Sequence, residues 1–200
     1  MAAVSETIVR EFFELNGFLV RQERKFIPRG KDEDDGIDFF VSNPHPRAAE
    51  APLPFVLGSN DVAAIARGIV AVRGWHTESY SQSVLENAPE LVRFAEPSVY
   101  AEAVRALGAE PPPLKILIVP SLPATAQLRE QSLGWLKSKG IDAVIPFRTL
   151  LIELVARVEV NRNYEKSDLL QTIRVLKNYE LIREPQLELF KQRRKAKAKG

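Results

Sequence analysis

Ile69-Val70-Ala71-Val72-Arg73-Gly74-Trp75 is the stretch on which the reading of the fold turns. It is a short apolar run, rich in β-branched residues and stopped by Gly74-Trp75, which reads as a buried strand. Side chains alternate along a strand, so Val70 and Val72 share one face and Ala71 and Arg73 the other. Upstream, residues 37–42 form a second such run, Ile37-Asp38-Phe39-Phe40-Val41-Ser42. There Ile37, Phe39 and Val41 take one face, Asp38 and Phe40 the opposite one. With the two strands as neighbours and their apolar faces packed on helices, Asp38 looks toward Ala71 and Arg73.

Working outward, the chain opens on a helix. Ser5 is placed as its N-cap, Glu6 suits the positive end of the dipole, and Val4 and Val9 are spaced as a staple across the cap. Ile8, Phe12 and Leu15 recur at helical spacing, and Asn16-Gly17 ends the run. Residues 18–26 read as a strand. Residues 31–36 form a loop containing Asp32, Glu33, Asp34 and Asp35, and residues 43–54, rich in Pro and Ala, form a second loop. A short helix is expected over 61–67, ending at Gly68. Residues 80–108 read as interrupted helices, with Pro89 and Pro97 each opening a new piece. Leu114–Val119 is a strand, 125–139 a helix with Leu128, Trp135 and Leu136 as core contacts, and 143–147 a strand. Leu150, Leu151, Leu154, Val155 and Val158 place a strongly amphipathic helix over 149–158. Ser167 caps a last helix carrying Leu169, Leu170, Ile173 and Leu176. This succession is an α/β layout with a meander at the front and a crossover behind it.

Composition narrows the function classes. The chain has 200 residues, 45% hydrophobic and 27% charged, which suits one domain over 1–190 with a short appendage, 191–200. With no Cys there is neither a disulfide framework nor a thiolate metal site. No apolar run has the length of a membrane span. Glu6, Arg10, Glu11 and Glu14 interrupt any signal-peptide core near the start, so a cytoplasmic location is the default expectation. The net charge of +2 is unevenly spread. Lys191, Arg193, Arg194, Lys195, Lys197 and Lys199 crowd the last ten residues with no acid among them. Removing those six leaves 22 basic residues against 26 acids, about −4 for the rest. A basic tail of this kind holds phosphate backbones without reading sequence, or serves as a solvated end. No Gly-rich phosphate loop follows a strand, no G-x-S-x-G elbow exists, and His45 and His76 have no zinc spacing.

The strand pair resembles the PD-(D/E)XK, or restriction-endonuclease-like, nuclease superfamily. Members place an Asp at the start of one strand. The next strand carries an acid, any residue, then Lys, often followed by Gly-Trp. Residues 69–75 are similar to that second strand, and the helix bearing Glu6 and Glu11 is similar to the family's first helix, which sometimes adds a carboxylate. The resemblance covers roughly 5–120 and implies a core of helix, three-stranded meander, helix and strand, here extended by a C-terminal strand and helices. It also implies two carboxylates holding Mg²⁺, with the metal polarising the phosphate and the Lys orienting or deprotonating a water.

Two of the three positions depart from that pattern. Asp38 is present. Ala71 stands where the metal-binding acid belongs, and Arg73 stands where Lys belongs; a guanidinium keeps its proton and makes a poor base. Three functions follow. The preferred one is a non-catalytic relative of the nuclease fold that binds DNA, RNA or a nucleic-acid-associated partner without a cofactor, with Arg193, Arg194, Lys195 and Lys197 on phosphates and Asp38 and Arg73 as an ion pair. The second is an active Mg²⁺-dependent phosphodiesterase with a migrated acid: Asp38, Glu78 and Glu11 as ligands, Asp38, Arg73 and Glu78 as the catalytic set, and His76 as an assisting base. The third is a structural or protein-interaction subunit, such as a homodimer built on the 149–158 helix.

Overall fold

The computed structural model describes residues 3–23, 36–49, 51–74, 76–108 and 110–182. The elements run α1 (Ala3–Leu15), β1 (Leu19–Gln22), β2 (Phe39–Ser42), β3 (Arg67–Val72), α2 (Gln82–Glu86), a 3-10 helix (Pro89–Ala95), α3 (Pro97–Leu107), β4 (Leu114–Val119), α4 (Ala126–Ser138), β5 (Ala143–Pro146), α5 (Phe147–Arg157) and α6 (Asp168–Asn178). The strands form one open mixed sheet in the order β1-β2-β3-β4-β5. The first three are an antiparallel meander, and β4 and β5 continue parallel to β3. Parallel neighbours need a crossover, which α2, the 3-10 helix and α3 supply between β3 and β4, and α4 between β4 and β5.

Alternation along the strands divides the core in two. Phe39, Val41, Val70, Val72, Ile116, Ile118 and Ile145 face α1, α5 and α6, meeting Val9, Phe12, Leu150, Leu154 and Leu170. Phe40, Ile69, Ala71, Leu117, Val119 and Val144 face the other layer, meeting Leu85, Phe94, Ala103 and Leu136. The result is an α/β/α stack. The outer edge of β5 is covered: Leu57 N–H donates to the Val144 carbonyl (2.9 Å) and Val144 N–H to the Phe55 carbonyl (2.7 Å). This occupies backbone groups that would otherwise template pairing with another chain.

The expected α/β layout and element order hold, with local corrections. The first helix begins at Ala3, so Ser5 lies inside it, buried, rather than capping it; Val4 points to solvent and staples nothing. Residues 62–64 form only a 3-10 turn, and Gly68 belongs to β3 instead of ending a helix. Leu128 is exposed on α4, whereas Leu136 is in the core. Ser167 does cap α6, its Oγ accepting the Leu170 N–H (3.2 Å). Pro89 and Pro97 do open helical pieces. The apolar face that singles out α5 is used inside the monomer, with Leu150 and Leu154 buried and Leu151 left exposed. Among the described residues no helix is long and apolar enough to cross a membrane.

Candidate functional site

The sequence expectation centres on the end of β2 and β3, and here the ladder changes. Phe39 pairs with Val70, yet the Asp38 N–H also turns to the Val70 carbonyl (2.9 Å). The register has slipped by one residue, as in a β-bulge. The slip carries Ile37 into the cluster of Phe40 and Ile69, so it does not share the face of Phe39 and Val41 as strict alternation predicts. It also leaves the Val72 N–H without a main-chain acceptor on β2. The Asp38 carboxylate takes that place, its Oδ2 accepting the Val72 N–H at 2.7 Å.

The same oxygen accepts Nη1 of Arg73 at 2.6 Å. Nη1 also donates to the Val72 carbonyl (2.8 Å), and Nη2 donates to the Gly36 carbonyl in a very short contact. One guanidinium thus joins β3 to the strand entry at Gly36 and Asp38, using the rigid fork geometry that distinguishes Arg from Lys. Gly36 is fitted to this role: its φ is +74°, and a Cβ there would stand 3.0 Å from Arg73 Nη2 and 3.3 Å from the Phe94 nitrogen. The side chains of Arg73 and Asp38 are 16% and 23% exposed, so the pair is largely shielded from water. Ala71, one step back along the same face, is 0% exposed and packed in the second core layer.

Around this bracket lie groups from α1 and β1. Gln22 Nε2 donates to Glu6 Oε2 (2.7 Å). Burial, and then the Asp38 charge, push the Glu6 carboxyl above its ordinary pKa, against the opposing pull of the Gln22 bond and Arg73. Ser5 Oγ lies 3.0 Å from His76 Nε2, and the imidazole rests on the Phe147 ring at 4.4 Å between centroids. His76 therefore links the first turn of α1 to the first residue of α5. The chain matches no protein-family model, and no curated protein or solved structure matches it.

The expected residues are placed unevenly. Asp38 and Arg73 meet as anticipated. Glu11 does not join them. Glu6 and Glu11 are five residues apart, about 140° around a helix, so with Glu6 toward Asp38 the other turns away. Glu11 is 5% exposed on the α6 side, where the Ser167 hydroxyl donates to it at 2.7 Å and Arg10 lies at 3.7 Å. Glu78 sits in the turn after β3, tied to the β4 end by the Ser121 hydroxyl on its main-chain carbonyl (2.9 Å). Its charge is felt by Tyr80, whose phenol pKa is raised first by burial and then by Glu78. Among the described residues no three His, Asp or Glu side chains converge in a group able to hold a metal ion. The residues that do cluster beside Asp38, namely Glu6 and Gln22, were legible only through the angular position of Glu6 on its helix.

Among the aromatic and basic residues of 164–179, Tyr164, Arg174 and Lys177 have structural work. Arg174 Nε donates to the Val160 carbonyl (2.8 Å), and Lys177 Nζ to the Val155 and Val158 carbonyls at 3.0 and 2.8 Å, capping α5. The Tyr164 hydroxyl accepts the Glu159 N–H (3.0 Å). Tyr179 stands out, 71% exposed. Arg193, Arg194, Lys195 and Lys197, the Asp32–Asp35 acids and Trp75 lie outside the described residues.

Proposed function

We propose that this chain is a non-catalytic relative of the restriction-endonuclease-like nucleases that binds nucleic acid through its backbone phosphates. The fold half of the reading is supported by the element order: a helix, a three-stranded meander, crossover helices and a parallel fourth strand, with an Asp facing the position two residues past Ala71. The observation that carries the loss of catalysis is the occupation of Asp38. Its Oδ2 accepts both the Val72 N–H and Arg73 Nη1 at 2.7 and 2.6 Å. Ala71, two residues before Arg73 on β3, is buried in the second core layer and has no side-chain oxygen to offer a metal. A guanidinium already balances the charge that a divalent cation would balance in an active relative.

Nucleic-acid binding is supported by the sequence of the last ten residues, six of them basic and none acidic. Six phosphate contacts would give a slope of log K against log salt approaching about −5. The test is fluorescence anisotropy with labelled single-stranded and duplex DNA and RNA, from low to physiological salt, in EDTA and in Mg²⁺. Binding that falls steeply with salt, is indifferent to Mg²⁺ and is largely lost in the Arg193→Ala, Arg194→Ala, Lys195→Ala, Lys197→Ala variant is the expected result. Absence of binding at low salt contradicts the nucleic-acid reading and favours a structural or interaction subunit. Glu6 gives the active alternative its one specific observation, being an acid whose proton affinity responds to Asp38. Mg²⁺-dependent cleavage abolished by Asp38→Asn and by Glu6→Gln would establish that alternative instead.

A further inference from the structure

We draw no further inference here: the strongest candidate, the open cleft of about 700 Å³ between α1 and the 163–167 loop, has mixed charges in its lining, its buried carboxylate, Glu11, is already held by Ser167 and Arg10, and nothing else in the structure points to what would occupy it.

Discussion

Replacing Arg73 with Ala removes a side chain that joins Gly36, Asp38 and Val72. Stripping one partner from a fully buried ion pair costs about 3–5 kcal/mol, because the survivor is left charged and poorly solvated. Here the survivor is 23% exposed and keeps the Val72 N–H, so water and that bond recover part of the cost. A loss of about 2–3 kcal/mol is expected, within the range of one or two hydrogen bonds to charged groups. For a chain of this length that lowers Tm by roughly 5–10 °C. Asp38→Asn retains an oxygen for the Val72 N–H and loses only the charge, so about 1 kcal/mol is expected. Arg73→Lys falls between wild type and Arg73→Ala, since one ammonium cannot span three acceptors as the fork does. Urea unfolding followed by far-ultraviolet circular dichroism, with both single variants and the double, gives the coupling directly; about 1–2 kcal/mol is expected. An Arg73→Ala protein within 0.5 kcal/mol of wild type would refute the view that this pair holds the strand ends together.

Other outcomes follow from the same geometry. Ser167→Ala removes both the α6 cap and the hydroxyl on buried Glu11, so a loss of about 2–3 kcal/mol in urea midpoint analysis is expected, above the ~1 kcal/mol of a cap alone. Tyr80→Phe is expected to leave Tm unchanged or raise it, because the phenol oxygen is buried without a hydrogen-bond partner among the described residues; a clear loss would mean that a partner exists. Gly74→Ala is expected to destabilise by more than about 2 kcal/mol, as its φ is +87° and a Cβ would come within 2.4 Å of the Tyr80 oxygen and 2.8 Å of Pro120 Cγ. Glu6 contributes a pH dependence of opposite sign to that of a salt-bridged acid. Its raised pKa means the folded state holds the proton more tightly than the unfolded chain, so its contribution to stability falls as pH rises from the ordinary value of 4.5 through the folded pKa. Glu6→Gln should therefore gain relative to wild type between pH 4 and neutrality; a constant difference across that range contradicts the assignment.

The sequence carried the layout because its signals were local and strong. Pro89 and Pro97 can only open helices here, Ser167 is a cap, and residues 114–119 are a strand by composition alone. It also placed Asp38 against Arg73, since one alternation rule applied to two strands suffices. What it missed depends on a break in that rule. The slip at Asp38 sends Ile37 to the opposite face and frees the Val72 N–H for the carboxylate, and nothing in Ile37-Asp38-Phe39 announces it. Glu6 and Glu11 both lie on the first helix, and only the helix's rotation, fixed by Ile8, Val9 and Phe12 packing inward, separates them. Ser5 misled for a related reason. A Ser near a helix start is usually a cap, but this one is buried inside the helix next to His76.

The proposed function rests on Asp38 being spent on a strand-end bracket and closed to a catalytic metal. The most direct test is calorimetric titration of Mg²⁺ and Mn²⁺ into the full chain, with Asp38→Asn as the control. No binding at millimolar metal that depends on Asp38 is expected. Heat of binding present in the wild type and lost in Asp38→Asn would contradict it, and would mean that metal displaces Arg73 from the carboxylate.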